Sequence, residues 1–281
     1  MLIARTIAEI RDAVGGYHAN GQTVALVPTM GYLHEGHMSL VRQAAKEGDR
    51  IVAWIFVNPT QFENPDDLAA YPRDTERDLD LLRAEGVDAV FLPEASEIYP
   101  EGAETFVECT RLGNVLHGAV RPGHYRGVTT VVTKFFNIIQ PDAAMFGEKD
   151  YQQLQVIKRM VRDLHMPIRI VGVPTVREQD GLAMSSRNVR LGPEDRAAAV
   201  ILSQSLQRAD ELARTGTTIE DMRTAITETI GSEPRAALKG LDIVHPETLD
   251  ELSGPVTAAT AIMISVEVGG VLLIDQKVVT P

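Results

Sequence analysis

The sequence is poor in cysteine and in aromatic residues: it has one cysteine, one tryptophan and only 5% aromatic residues. Because Cys109 has no second cysteine to pair with, an intramolecular disulfide and a cysteine metal cluster are both excluded. No stretch approaches the roughly 20 consecutive apolar residues of a membrane-spanning helix. The N-terminus also lacks the apolar core of a signal peptide. We therefore expect a cytoplasmic protein that spans no membrane.

Positive charge is scarce as well. The chain has 27 Lys and Arg residues against 39 Asp and Glu residues, which gives a net charge of −12. This balance argues against nucleic acid and against an anionic membrane surface as partners. The 281 residues, 44% of them hydrophobic and 23% charged, have the composition of a soluble globular protein of one large domain or two.

The glycine-rich phosphate loops of common nucleotide-binding folds are also missing: there is no Gly-x-x-x-x-Gly-Lys-Ser/Thr segment and no Gly-x-Gly-x-x-Gly after a strand. The most informative segment is instead 24–41. Residues 24–27 predict a short buried strand, broken by Pro28 and Gly31. Apolar residues at helical spacing from Met38 predict a helix that stops near Gly48. His34 and His37 would then lie at the helix N-terminus, where unpaired amides and the helix dipole favour an anion.

Three interpretations of this histidine pair compete. The two side chains could be ordinary surface or capping residues at a helix end. They could bind zinc, since His-Glu-x-His resembles the metalloprotease motif; that motif, however, spaces its histidines i and i+4 within a helix, whereas His34 and His37 are three apart with Gly36 between them. The third interpretation is contact with the phosphates of a nucleotide.

Strand-like and helix-like segments alternate through the first two-thirds of the chain, which predicts an α/β fold with a Rossmann-like, doubly wound parallel sheet. Further strands are predicted at 51–57, 89–92, 143–146 and 168–173, and helices at 74–85, 128–139 and 151–164. Pro193 fits a first helical position. Helices at 197–213 and 219–230, a strand at 241–244 and a hairpin of 262–268 with 271–274 turning on Gly269 and Gly270 predict a smaller α+β domain.

Four more polar residues are candidates for a polyphosphate site: Lys149 at the start of a helix, and Ser185, Ser186 and Arg187 in a polar loop (180–188) that we expect to be mobile. Each of them alone is most simply a solvated surface or capping residue. Their order relative to His34 and His37 is more specific. It resembles the nucleotidyltransferase superfamily that includes class I aminoacyl-tRNA synthetases, which bind ATP between two such loops. Their second loop normally supplies lysines, whereas here Arg187 is the cation, and arginine can clamp phosphate with two hydrogen bonds.

Further motifs narrow the resemblance to the pantothenate synthetase family. They are Val27-Pro28-Thr29-Met30-Gly31 with Leu33-His34-Glu35-Gly36-His37, Asn58-Pro59-Thr60-Gln61-Phe62, Tyr71-Pro72-Arg73, Arg121-Pro122-Gly123-His124, Phe146-Gly147-Glu148-Lys149-Asp150-Tyr151-Gln152-Gln153-Leu154, Gly181-Leu182-Ala183-Met184-Ser185-Ser186-Arg187-Asn188 and Val244-His245-Pro246-Glu247-Thr248-Leu249. Two departures occur. Glu63-Asn64-Pro65 stands where the family often has a glycine-containing turn, and His245 where an acidic residue is common.

The resemblance implies ATP-dependent condensation of pantoate with β-alanine to pantothenate, through a pantoyl adenylate, with release of AMP and pyrophosphate. It also implies Mg²⁺ with the nucleotide, a homodimer, and a place in coenzyme A biosynthesis. An edge for that dimer is expected from 51–57 or 262–268. The domains implied are 1–187, a catalytic domain that binds ATP and pantoate, and 188–281, a C-terminal lid. The alternative is another nucleotidyltransferase of this superfamily, which moves an adenylyl or cytidylyl group to a small phosphorylated substrate.

Residue roles follow from the same resemblance. His34, His37, Lys149 and Arg187 are the expected catalytic residues, with His37 as proton donor. Gln61 and Gln153 are expected to bind pantoate, and Gln61 also β-alanine. No metal ligand in the protein is expected. The expected ATP contacts are Met30, Gly31, Tyr32, Leu33, His34, Glu35, Gly36, His37, Gly147, Glu148, Lys149, Asp150, Val176, Met184, Ser185, Ser186 and Arg187.

Overall fold

The computed structural model of the protein describes residues 1–62, 65–69 and 71–281. The chain forms two compact units. The first comprises Met1–Gly147 and Gln153–Val173, and the second comprises Glu148–Gln152 and Pro174–Pro281. The domain boundary expected after residue 187 stays a prediction; the compact units change over earlier, at Pro174. Of the two departures from the family motifs, Glu63 and Asn64 lie outside the described residues.

The first unit is built on a six-stranded sheet. Its strands are β1 (Leu2–Ala4), β2 (Val24–Thr29), β3 (Arg50–Ile55), β4 (Ala89–Phe91), β5 (Ala143–Gly147) and β6 (Arg169–Val173), in the order β1-β4-β3-β2-β5-β6. Every pairing between these strands is parallel. After β2 the chain adds β3 and then β4 on one side of the sheet, and after β5 it adds β6 on the other side. The predicted doubly wound sheet is confirmed, and its switch point lies between β2 and β5, where such folds bind ligands.

Helices accompany these strands. They are α1 (Ile7–Ala19), α2 (Glu35–Glu47), α3 (Pro65–Ala69), α4 (Thr75–Ala84), α5 (Ala95–Ile98), α6 (His117–Val120), α7 (His124–Ile139) and α8 (Tyr151–Asp163), the last of which has only its first two residues in the second unit. The apolar stripe of α7 is buried, and Phe135 stacks on Trp54 with ring centroids 4.0 Å apart. The stripe is therefore core packing.

The sequence predicted that Pro28 would break β2, but the proline lies inside this strand, opposite Trp54. The carbonyls of Thr23 and Thr29 accept amides from the β3 side, whereas Val24 bonds to Asp142 on the β5 side. Alternation along the strand turns the Pro28 nitrogen toward β5. The pairing of β2 with β5 covers only Ala25 and Leu26, so no ladder bond is lost at Pro28.

The second unit packs helices on an antiparallel sheet. Its helices are α9 (Pro193–Ala198), α10 (Ile201–Thr215) and α11 (Ile219–Gly231), and its strands are β7 (Ala236–Val244), β8 (Thr260–Val268) and β9 (Val271–Val279), with β8 in the middle. The predicted hairpin is confirmed: Gly269 and Gly270 join β8 to β9 with φ of 56° and 75°. Residues 197–213 are not one helix as predicted, because the chain breaks between α9 and α10 at the fully buried Ala199, which packs in the same core as Leu202.

The positions of the strands correct one further expectation. β3 lies between β4 and β2, and β8 lies between β7 and β9, so neither 51–57 nor 262–268 offers a free sheet edge. In the described part of the chain, no helix combines the length and the apolar character needed to cross a bilayer.

Candidate active site

The two histidines stand at the start of α2, as predicted. His34 is the N-cap residue with an extended backbone, and its Nδ1 accepts the Gly36 amide at 3.1 Å. His37, one turn further on, accepts the amide of His34 on its own Nδ1 at 3.2 Å. The two rings are in contact, with centroids 4.1 Å apart. The pair forms a reciprocal capping box in which imidazoles replace the usual hydroxyl and carboxylate.

These capping bonds set the protonation of both neutral rings. A ring nitrogen that accepts a backbone N–H cannot itself carry a proton, so the proton of each neutral imidazole resides on Nε2. His34 and His37 therefore each present an Nε2–H donor at a helix N-terminus. Capping through Nδ1 is thus shown by the structure, and it does not conflict with the nucleotide interpretation, which assigns Nε2 to the phosphates.

The loop that leads from β2 to α2 has an unusual backbone. Gly31 and Tyr32 are consecutive residues in the left-handed region, with φ of 86° and 51°. The carboxylate of Asp78, on α4, accepts the amides of Tyr32 and Leu33 at 2.6 and 2.7 Å. Asp78 is 1% exposed, and burial raises the pKa of its carboxyl although the two amide bonds act in the opposite direction.

Gln61 is held at the end of a 3₁₀ turn, Pro59–Gln61, which follows β3. Its side-chain oxygen accepts from Asn58 Nδ2 at 3.1 Å, its backbone carbonyl lies 2.9 Å from His124 Nδ1, and its Nε2 lies 3.1 Å from the sulfur of Met30. Asn58 is itself 1% exposed and accepts from the Tyr99 hydroxyl at 2.8 Å. Gln61 is therefore fixed on both its backbone and its side chain.

Gly127 allows α7 to approach this turn. A Cβ atom at Gly127 would lie 2.5 Å from the carbonyl oxygen of Thr60 and 2.9 Å from the amide nitrogen of Gln61. Both neighbours are backbone atoms, so they could not move without displacing the turn. Asn58 Nδ2 also donates to the Gly127 carbonyl at 3.2 Å. Gln153, the second residue predicted to bind pantoate, is half-buried in the first turn of α8.

In the second unit, two turns that carry predicted residues lie against β9. One is Glu148–Asp150, which contains the half-buried Lys149. The other is Ser186–Arg190, capped by Ser185, whose Oγ accepts the Arg187 amide at 3.3 Å. Arg187 is exposed and donates to the carbonyl of Leu272, on β9, at 3.2 Å. The structure thus places both turns, which carry the predicted cations of this unit, against the same strand.

The base of the 185–187 loop is tied down by ion pairs. Arg177 binds the carboxylate of Asp275 with two hydrogen bonds of 2.7 and 2.9 Å, and Asp275 is 2% exposed. Arg196 contacts both Glu178 and Asp180 at 2.8 and 2.7 Å. Met184 donates its amide to Val176 at 2.9 Å. At the other end of the loop, Asn188 Nδ2 donates to Glu178 and to the Ala183 carbonyl at 3.2 and 3.1 Å. The sequence predicted that 180–188 is mobile, and these contacts anchor both of its ends.

His245, which departs from the family pattern, has a simple local role. Its Nδ1 accepts the amides of Glu247 and Thr248 at 3.2 and 3.3 Å. A carboxylate at this position could accept the same two amides. The substitution therefore preserves the turn after β7.

Two residues of this site were missing from the sequence prediction, Asn58 and Asp78. Asn58 was visible only as part of a motif at the end of a strand. Asp78 carried a clearer signal, since it stands next to Leu79 and four residues before Leu82 on the apolar side of a predicted helix. A carboxylate in that position is rarely buried without a partner.

No group of three or more His, Cys, Asp or Glu side chains in the described part of the chain is arranged to hold a metal ion. A zinc site at His34 and His37 would need such a group.

Comparison with known proteins decides the family. The model of the pantoate–β-alanine ligase family matches residues 2–278. The chain belongs to this family. Relatives named pantothenate synthetase are 51% identical in Sinorhizobium medicae, over 98% of this chain and 95% of the relative, and 48% identical in Acetivibrio thermocellus, over 99% of each.

Solved structures agree with this assignment. Pantothenate synthetase from Thermus thermophilus is 46% identical and superposes with a TM-score of 0.94 over 100% of both chains. Pantoate–β-alanine ligase from Francisella tularensis, solved in complex with β,γ-ATP and β-alanine, is 34% identical with a TM-score of 0.82, covering 99% of this chain and 97% of that one. The expected ligase activity, ATP-dependent joining of pantoate to β-alanine, is therefore confirmed over the alternative of another nucleotidyltransferase.

Proposed function

We propose that this ligase first adenylates the carboxylate of pantoate and then transfers the pantoyl group to β-alanine. The observation that carries the proposal is the position of His34 and His37 at the N-terminus of α2, where each Nδ1 accepts a backbone amide. We infer from these bonds that each neutral ring directs an Nε2–H donor to the nucleotide. Negative charge grows on the α-phosphate during adenylyl transfer, and fixed donors at that place lower the barrier. The Francisella relative, solved with β,γ-ATP and β-alanine, supports binding of the same two substrates here.

The chemistry needs two displacements because a carboxylate is a poor electrophile. In the first, a pantoate carboxylate oxygen attacks the α-phosphorus of ATP, and pyrophosphate leaves with the electrons of the broken P–O bond. In the second, the neutral amine of β-alanine attacks the acyl carbon and forms an oxyanion. The C–O bond to the adenylate then breaks, AMP leaves, and the nitrogen releases a proton.

In the first unit, His34 and His37 donate hydrogen bonds through Nε2–H to phosphate oxygens, and His37 directs its hydrogen bond to the departing pyrophosphate. Gln61 and Gln153 bind the hydroxyls of pantoate, and Gln61 also contacts β-alanine. The contact of Gln61 Nε2 with the Met30 sulfur supports this role. A thioether is a weak acceptor, so an oxygen of the substrate would be a better partner for the same N–H.

In the second unit, Lys149 neutralises phosphate charge, and Ser185, Ser186 and Arg187 close over the β- and γ-phosphates and exclude water from the anhydride. The exposure of Arg187 supports a guanidinium that can turn toward a ligand. The remaining ATP contacts are proposed at Met30, Gly31, Tyr32, Leu33, Glu35, Gly36, Gly147, Glu148, Asp150, Val176 and Met184.

Mg²⁺ would enter with the nucleotide. Because the described residues offer no cluster of three ligands for a metal, we propose that phosphates and water hold the ion, and we assign no step to it. We further propose that the enzyme is a cytoplasmic homodimer. Light scattering would test the oligomeric state, and a molecular mass of about one chain would contradict it.

The reaction is tested by ATP–pyrophosphate exchange with pantoate present and no amine. Exchange that requires pantoate is the expected result, because it reports the reversible formation of an acyl adenylate. Exchange in the absence of pantoate would contradict the proposal. So would an enzyme that shows no exchange with pantoate and forms no AMP after β-alanine is added. A reaction that needs a phosphorylated acceptor and releases no AMP would favour the alternative nucleotidyltransferase.

A further inference from the structure

Asp78 is a buried carboxylate that lies outside the predicted substrate contacts. It stands on α4 and is 1% exposed, and its two oxygens each accept one backbone amide, from Tyr32 and from Leu33. Arg77 Nη1 is 3.7 Å away, and the Arg77 guanidinium lies over the Tyr32 ring at 5.5 Å. Asp74 is a further charge near Asp78.

An apolar residue would suit this position better if packing alone mattered. The neighbouring Leu79 and Leu82 are 3% and 0% exposed. Removing a carboxylate from water is unfavourable unless strong partners replace the lost hydration. The two amide bonds are such partners, yet burial still raises the pKa of Asp78, so the charged carboxylate is less favourable here than in water. We expect that Asp78 is kept at this position because of the loop whose amides it binds.

That loop is strained and connects the two halves of the first-unit site. Left-handed backbone is unfavourable for a residue with a side chain, and Tyr32 adopts it directly after Gly31. On one side of the loop Met30 contacts Gln61, and on the other His34 caps α2. A shift at Tyr32 would therefore move both neighbours.

We propose that Asp78 is a positioning residue, which holds the backbone of Tyr32 and Leu33 so that Met30 and His34 keep the spacing that adenylation requires. Asp78 does not touch the substrate and acts through this loop. The proposal rests on the proposed function, since the step that it supports is the transfer of the adenylyl group.

The test is Asp78→Asn, with Asp80→Asn as the matched control. Asn has the shape of Asp but presents an NH₂ group to one of the two amides, so one hydrogen bond is replaced by a repulsive contact. Asp80 lies on the same helix and is 77% exposed, in a surface pair with Arg83. We expect kcat for pantoate-dependent exchange to fall about 10- to 100-fold in Asp78→Asn, because small misplacements of reacting groups have effects of this size. The Kd for ATP should change less than about 3-fold, and Asp80→Asn should match wild type.

A second variant perturbs the same contact from the loop. A Cβ atom at Gly31 would lie 3.2 Å from Asp78 Oδ2, and the φ of 86° is unfavourable for alanine. Gly31→Ala should lower kcat as Asp78→Asn does, and its Kd for ATP should also rise because Gly31 is itself a proposed ATP contact. The double variant should lose less kcat than the product of the two single effects. If Asp78→Asn does not fold, Asp78→Glu takes its place, because it keeps the charge but displaces the carboxylate from the two amides, and the same loss of kcat is expected.

Three results would overturn the positioning role. One is a folded Asp78→Asn whose kcat stays within about 2-fold of wild type. Another is a loss of kcat in Asp78→Asn that is fully explained by the fraction of enzyme that is unfolded. The third is a double variant whose loss of kcat equals the product of the losses in Asp78→Asn and Gly31→Ala. Wild-type enzyme without exchange would refute the proposed function instead. In that case the positioning role is tested by the NMR signals of the His34 ring. Asp78→Asn must shift these signals, and Asp80→Asn must not.

Discussion

We propose that the first-unit site around His34 and Gln61 and the second-unit loop around Arg187 both serve the nucleotide or its co-substrate, and the structure holds them in different ways. In the first unit the supporting groups, Asn58 and Asp78, are buried. Asp78 accepts two backbone amides, and Asn58 donates to the Gln61 side chain and to the Gly127 carbonyl. In the second unit the supports are arginine–carboxylate pairs at the base of the loop, and the tip carries an exposed Arg187.

The difference indicates that the two regions have different roles. Buried polar groups must keep their partners, so a network of them has one arrangement and holds reacting groups in place. An exposed guanidinium exchanges its partner for water at little cost, so it can turn toward phosphate when the nucleotide arrives. We infer that the first unit is preorganised for chemistry and that the second contributes a movable charge on an anchored base.

The largest effect is expected from His37→Ala. The variant removes an Nε2–H donor and one half of the capping box, and pantoate-dependent ATP–pyrophosphate exchange should fall by about 10²- to 10⁴-fold. Circular dichroism should show a folded protein. The control is His18→Ala, an imidazole on α1 near Asp142, which should retain full exchange. Near-normal exchange in His37→Ala would contradict its role.

Arg187→Ala should have the next largest effect, through the movable charge. Without the guanidinium, the KM for ATP should rise and kcat fall, together lowering kcat/KM about 10- to 100-fold, while the melting temperature stays nearly unchanged because the side chain is exposed. Steady-state kinetics and thermal unfolding would show this, with Arg190→Ala in the same turn as the control. Equal kinetic losses in both arginine variants would indicate general surface charge instead of a specific contact.

Gly127→Ala tests the rigidity of the first-unit site. The added methyl group would lie 2.5 Å from the Thr60 carbonyl, so the turn with Gln61 must move. We expect about a 10-fold lower kcat/KM for pantoate and little change in the KM for ATP. Gly16→Ala, in α1 with open space around the added Cβ, serves as the control and should leave kinetics unchanged. If Gly127→Ala behaves like Gly16→Ala, Gln61 is not held as tightly as the contacts imply.

Arg177→Ala should affect stability more than chemistry. It would leave the carboxylate of Asp275, 2% exposed, without its main partner. Breaking a buried pair typically costs about 3–5 kcal/mol, and the partial exposure of Arg177 reduces this to about 2–3 kcal/mol. Differential scanning calorimetry should show a melting temperature lower by about 5–10 °C. The double variant Arg177→Met and Asp275→Leu should recover part of the loss, and failure to do so would mean that the pair is needed for more than charge balance.

Much of the fold followed from local pattern. Buried runs and helical spacing located β2 through β6 and most helices, and the Gly269-Gly270 pair located the hairpin. The strand β1 escaped prediction because three residues are too few for a period, and α1 carries two glycines near its end that weaken the helix signal. The prediction that Pro28 breaks β2 is wrong because a strand tolerates proline where its nitrogen faces an unpaired side. Which side of a strand is paired cannot be seen from one segment of sequence.

The family and the position of His34 and His37 at a helix start could be predicted from the chain alone, because motifs, capping and spacing are properties of neighbouring residues. Packing of the elements is what brings Asn58 to the Gly127 carbonyl and Asp78 to the amides of Tyr32 and Leu33, and what leaves β3 and β8 without a free edge. The hydrogen bonds among these contacts join residues 45 to 69 positions apart. Hydrogen bonds of that kind are set by how strands and helices pack, so no periodicity along the chain records them.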